Sequence, residues 1–278
     1  MSGRRGWVIA AVVIMAIWLV CHMGHRVLVG ATRLIGPRLF SWPLDMGLVR
    51  SDISSDVSTH GHDVLEVEFA TGNVHVFPSV DERRLAVARA DIAASNKPAH
   101  DSVIPRFTSS TGEGVLRLSG NSMVPPVVFG ALRVTYEIWA PPDLELRVTT
   151  RNGSVSVSGW EAPVTIHTSN GSINLILDNT PAVAAGTSNG SIVADLGLLE
   201  DGEYRLTTGN GSIRVSLSPA SSVALDARTS NGSVLLKMPG WVLGELHTAR
   251  AIEASLGGGT ALLVLRTSNG SITVEAAD

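Results

Sequence analysis

The chain has 278 residues, enough for one large domain or two small ones with a core of their own. Aromatic residues make up 5% and charged residues 17%, while glycine reaches 28 copies, a balance that suits short strands and turns and argues against a helix-rich catalytic body. One cysteine, Cys21, excludes an intramolecular disulfide and any multi-cysteine metal site, and the net charge of −4 divides into +5 over residues 1–50 and −9 beyond them, which opposes nucleic acid as a partner.

In chain order, residues 1–6 read as a cytoplasmic tail carrying Arg4 and Arg5, and residues 7–24 as a transmembrane signal anchor built on "WVIAAVVIMAIWLVCHM". A cleaved signal peptide and a buried core helix compete with that reading. The absence of small residues spaced for cleavage favours the uncleaved anchor. The arginine pair and the acidic downstream region predict a cytoplasmic N-terminus and an extracytoplasmic C-terminal domain. Residues 25–62 read as a juxtamembrane linker, broken by Gly30, Gly36, Pro37, Pro43 and Gly47. His60 and His62 in "THGHD" lack a third ligand and read as a solvated loop.

From residue 63 a repeat dominates. Asn-Gly-Ser recurs at Asn152-Gly153, Asn170-Gly171, Asn189-Gly190, Asn210-Gly211, Asn231-Gly232 and Asn269-Gly270, with spacings of 18, 19, 21, 21 and 38. The last spacing reads as two periods, with a decayed copy in "ELHTARAIEAS" where Arg250 replaces the asparagine. Two residues before each asparagine stands a threonine: Thr150, Thr168, Thr187, Thr208, Thr229 and Thr267. Four before stand Val148, Ile166, Ala185, Leu206, Ala227 and Leu265, and after the turn the apolar positions resume at Val155, Ile173, Ile192, Ile213, Val234 and Ile272. That period-2 alternation makes each unit a strand, an Asn-Gly corner and a second strand.

An antiparallel meander and a β-solenoid of about 20-residue coils both satisfy the pattern. Stacking is favoured because it alone explains why the threonine is the same in every copy, and stacked asparagines can satisfy one another as a ladder. The corner glycines are expected to serve by accepting positive φ. Upstream, "VLEVEFATGNVHVF" reads as an early coil, with Thr71 and Asn73 in the threonine and asparagine columns. Residues 79–130 read as irregular and residues 131–278 as regular repeats, closed by Glu275 and Asp278 as charges on the terminal edge.

The Thr-Ser-Asn-Gly-Ser-Ile phrase, the start with Pro141 and Pro142, and the segment Gly257, Gly258 and Gly259 before the last copy together resemble the DUF4097 family of β-strand-repeat proteins, also described as candidate adhesins. The resemblance spans residues 63–278. It implies a right-handed β-solenoid in an extracytoplasmic setting, with no catalytic residue.

No catalytic, cofactor or metal motif is found, so no residue is assigned to those roles. The outward column Ser156, Asn174, Val193, Arg214, Leu235 and Thr273 holds no acid pair, which disfavours a β-helical polysaccharide-active enzyme. The six sequons follow from turn chemistry. The expected role is adhesin-like or structural in the cell envelope, meeting a surface glycan or protein, with an accessory of envelope-stress signalling that holds a membrane partner as the alternative.

Overall fold

The computed structural model describes residues 49–79, 84–94, 97–110, 114–120 and 132–277. The expected anchor at 7–24 and the first part of the linker lie outside them. Among the described residues no helix is long and apolar enough to cross a membrane.

The first elements are β1 (Val49–Ser58), β2 (Val64–Thr71), β3 (Asn73–Pro78), β4 (Leu85–Ala94), the short helix α1 (Lys97–Asp101), β5 (Arg106–Ser110), β6 (Val115–Ser119) and β7 (Leu132–Ala140). The repeats supply β8 (Glu145–Asn152) with β9 (Val155–Ser158), β10 (Val164–Asn170) with β11 (Ile173–Ile176), β12 (Ala182–Asn189) with β13 (Ile192–Asp195), and β14 (Glu203–Asn210) with β15 (Ile213–Leu217). The remainder comprises β16 (Val223–Asn231), β17 (Val234–Leu236), β18 (Val242–His247), β19 (Ala251–Leu256), β20 (Ala261–Asn269) and β21 (Ile272–Ala276).

Each unit places its first strand in one sheet and its second in another. The sheet of second strands, sheet A, runs β1-β4-β7-β3-β9-β11-β13-β15-β21-β17, and the sheet of first strands, sheet B, runs β18-β19-β16-β20-β14-β12-β10-β8-β2-β6-β5. From β8 to β17 the units pair in parallel and in register, so Asn152 meets Asn170, Asn170 meets Asn189, and Asn189 meets Asn210. The repeated apolar columns therefore stack on themselves between the sheets. Ile173, Ile192, Ile213 and Ile272 are all buried, as are Val148, Ile166, Leu206 and Leu265. A meander would have paired consecutive strands antiparallel, which the repeats do not do.

Stack order departs from chain order at both ends. β20 and β21 insert between the β14/β15 unit and the β16/β17 unit, and β2 and β3 insert between the β6/β7 unit and the β8/β9 unit. β21 is thus an interior strand, and Glu275 does not blunt an edge; it faces Arg214 of β15 at 3.6 Å and Lys237, just past β17, at 3.5 Å. The segment expected as a decayed copy also forms no coil. It forms β18 and β19, which pair antiparallel with each other and add to β16; the Arg250 and Ala249 carbonyls accept the N–H groups of Thr229 on β16 and Val234 on β17. Without an Asn-Gly corner the chain reverses on Thr248, whose hydroxyl accepts the N–H groups of Arg250 and Ala251.

At the other end, residues 49–58, expected as linker, form β1, because Ser51, Ile53, Ser55 and Val57 alternate with exposed neighbours and the strand pairs antiparallel along all of β4. The region expected as irregular likewise contributes β6 to a stacked unit. Antiparallel strands β1, β4 and β5 cover this end, and β18 and β19 cover the other side of β16, while β17 remains the terminal strand of sheet A.

Candidate functional site: the stacked corners and outer faces

The corners form three ladders. Along the exposed edge, each asparagine Nδ2 donates to the Oδ1 of the next: Asn170 to Asn152 at 3.0 Å, Asn189 to Asn170 at 3.0 Å, Asn210 to Asn189 at 2.8 Å, Asn269 to Asn210 at 2.7 Å and Asn231 to Asn269 at 2.9 Å. Beneath them the threonine hydroxyls are buried and donate to the preceding corner's glycine carbonyl, Thr168 to Gly153 at 3.1 Å, Thr187 to Gly171 at 2.9 Å and Thr208 to Gly190 at 2.7 Å. Serine hydroxyls accept the N–H of the next serine, as Ser154 does from Ser172 at 3.3 Å. The six asparagines and every threonine of the column but Thr150 are thus bonded to a neighbouring unit's backbone or amide, which explains the column identities.

Glycine is required at the corners for two reasons, of which the expected positive φ is only one. Asn152, Asn170, Asn189, Asn210, Asn231 and Asn269 are absent from the positive-φ residues, and among the corner glycines Gly153, Gly211 and Gly270, at φ 157°, 159° and 149°, carry positive φ while Gly171, Gly190 and Gly232 do not. A Cβ, however, would lie 2.0 Å from the Gly153 oxygen at Gly171, 2.1 Å from the Gly171 oxygen at Gly190, and 2.0 Å from the Gly270 oxygen at Gly232. Corner backbones approach one another too closely for any side chain.

The upstream coil fits with a shifted register. Phe69, not Thr71, pairs with Thr150, and Thr71 pairs with Asn152, so Thr71-Gly72-Asn73 replaces Asn-Gly-Ser residue for residue. The Asn73 side chain takes the serine's part by accepting the Ser154 N–H at 3.0 Å. Thr150, at this junction, is buried with its hydroxyl unpartnered.

Three side-chain groups lie where the sequence reading assigned no site. On β1 and α1, the Ser51 hydroxyl meets His100 Nε2 at 2.5 Å and Asp101 Oδ1 meets His100 Nδ1 at 2.9 Å. This order resembles a nucleophile, base and orienting acid, but the imidazole is 8% exposed and engaged at both nitrogens, so it serves to clamp α1 onto β1. On sheet B, Asp226 binds Arg266 and, at 3.0 Å, Arg228, which reaches Glu253 at 2.9 Å. Burial raises the Asp226 carboxyl, but hydrogen bonds and charge from Arg266 and Arg228 more than offset this and hold it below its ordinary value. On sheet A, the outward rings of His75, Phe77 and Trp139 lie together. Their signal was aromatic residues at alternate strand positions, but which strands are neighbours depends on the inserted order.

Among the described residues no group of three or more His, Cys, Asp or Glu could hold a metal ion. The architecture defines a β-repeat protein whose repeated polar residues join one unit to the next. The chain belongs to the family described as Toastrack DUF4097, which it matches over residues 54–275. Solved structures similar to it include a candidate cell adhesion protein from Clostridium sporogenes, 12% identical, with a TM-score of 0.49 over 82% of this chain and 100% of that one. Another is a candidate adhesin from Bacteroides fragilis, also 12% identical, with a TM-score of 0.34 over 82% of this chain and 97% of that one. Among curated proteins none matches.

Proposed function

We propose that this chain is a single-pass membrane protein, anchored by residues 7–24 with its N-terminus in the cytoplasm, that displays a non-catalytic β-repeat domain outside it. In this reading the stack winds as a right-handed solenoid, the sense the family resemblance implies, and acts in adhesin-like contacts or as an envelope structure. The observation that carries the reading is the corner ladder: the six repeated asparagines and five of their six threonines bond one unit to the next and are spread along the stack. Antiparallel strands covering β16, β7 and β6 support display with three of the stack's four end strands paired.

The test is protease treatment of intact cells with detection of an epitope at the C-terminus. Loss of the epitope is expected. Protection in intact cells with digestion after lysis would reverse the topology and overturn the reading.

A second reading, an accessory of envelope-stress signalling that holds a membrane partner, is favoured by one observation. Exposed Val242, Leu243 and Leu262 flank a groove of about 380 Å³ that runs across β18, β19, β16 and β20. A photo-crosslinking residue at position 243 should capture one membrane protein in cells if this reading holds.

A further inference from the structure

The outer face of sheet A carries a band of rings at its β3 and β7 strands. His75 and Phe77, two residues apart on β3, have centroids 6.4 Å apart and planes 8° from parallel. Phe77 lies directly opposite Trp139 of β7, at 5.7 Å and 27°. The Arg89 guanidinium of β4 stands 5.1 Å from the Trp139 ring, covering the band on its β4 flank.

The other flank is open in a specific way. The next strand, β9, turns only Ser156 and Ser158 outward, with Ser156 opposite His75. Beyond it, β11 turns out Asn174 beside Ser156 and Ile176 beside Ser158, and Ile176 is 53% exposed. Neighbouring strands lie ~4.8 Å apart, so the rings of β3 and the side chains of β11 stand ~9.6 Å apart across a floor of two hydroxymethyl groups. This makes a shelf one ring wide, with an aromatic wall, a hydroxyl floor, an amide at one end of the far side and an aliphatic group at the other.

Those surfaces match a pyranose, which has an apolar C–H face and a rim of hydroxyls that both donate and accept. The apolar face suits the ring band, and the rim suits Ser156, Ser158 and Asn174. A peptide strand would need an open sheet edge, whereas β3, β9 and β11 are each paired on both sides. An acyl chain would leave the serines without partners. An anionic polymer would meet a region that is −9 beyond residue 50.

We propose that the shelf formed by His75, Phe77, Ser156, Ser158, Asn174 and Ile176 binds a neutral pyranose chain. The site rests on the reading of a displayed, contact-making domain and names the chemical class that it meets.

The experiment titrates the full chain, in detergent micelles, with cellohexaose, chitohexaose, maltohexaose and mannohexaose by calorimetry. At least one is expected to bind, and Phe77→Ala, which removes the wall, and Ser158→Trp, which fills the floor, should each weaken binding ~10-fold or more. Arg205→Ala, on sheet B, should bind as the parent does. Ser158→Trp lies outward on a solvent-facing strand and decides the matter if Phe77→Ala fails to fold. Absence of binding by all four sugars, or binding unchanged in Ser158→Trp, would overturn the site. Because protease accessibility on cells is measured separately, the site can fail while the proposed display stands.

Discussion

A Cβ placed on Gly190 would lie 2.1 Å from the carbonyl oxygen of Gly171, one unit below. The obstructing atom is backbone, held by its own unit's pairing, so it cannot swing aside as a side chain would. Gly190→Ala should therefore destabilise the domain by ~3 kcal/mol, read as a fall in Tm at roughly 2–4 °C per kcal/mol for a domain of this size. Gly61 offers the contrast, since nothing lies within 4 Å of its added Cβ but its φ is +79°. Gly61→Ala should cost only about 1 kcal/mol, from backbone conformation alone. Equal losses at the two sites would show that the corners do not approach as described.

The threonine column permits a matched pair of substitutions. Thr187 donates to Gly171 at 2.9 Å, whereas the equally buried Thr150 hydroxyl has no partner. Valine keeps the shape and removes the hydroxyl. Thr187→Val should lose about 1 kcal/mol, while Thr150→Val should be neutral or stabilising, because an unpaired buried hydroxyl is replaced by a methyl group. Urea midpoints of the two variants provide the comparison, and a greater loss at Thr150 would contradict the register assigned to Phe69 and Thr71.

Asp226 makes stability depend on acid. Despite the opposing effect of burial, its carboxyl ionises below the ordinary 3.8 because Arg266 and Arg228 bind the charged form. A depressed carboxyl pKa adds stability above its unfolded value and loses it as pH falls through the folded value. The stability gap between the parent and Asp226→Asn should thus be constant above pH ~5 and close progressively below pH ~4. Urea denaturation of both proteins near pH ~7 and pH ~2 measures it. A gap as wide in strong acid as at neutrality would mean that the carboxylate is not what Arg266 and Arg228 hold.

The β18–β19 hairpin covers β16, so its removal should expose that strand as a pairing edge. Replacing Pro239–Gly258 by a short Gly-Ser linker also strips the Arg250 and Ala249 carbonyls from the Thr229 and Val234 N–H groups. The shortened chain should associate in a concentration-dependent way, visible by light scattering in detergent. A variant with the same association behaviour as the parent would show that the hairpin has no covering role.

Local chemistry determined the unit itself. Alternating apolar positions set two short strands, and the recurrence of Thr, Asn, Gly and Ser at fixed offsets required like to stack on like, because only a neighbouring copy gives every one of those groups the same partner. The glycines' presence was legible and their purpose partly so: turn chemistry pointed to positive φ, which Gly153, Gly211 and Gly270 have, while the 2.0 Å approach of the Gly153 oxygen to a Cβ at Gly171 exists only once two units are stacked. Stack order was beyond reach for a related reason. Asn210, Asn231 and Asn269 carry the same corner, so the sequence is indifferent to which stands beside which, and only the tertiary structure places β20 between β14 and β16. The same ordering at the other end brings β7 beside β3 and so sets Trp139 against Phe77. Repetition specifies the interface between units but not their sequence in space, and the candidate shelf on sheet A depends on that second, tertiary choice.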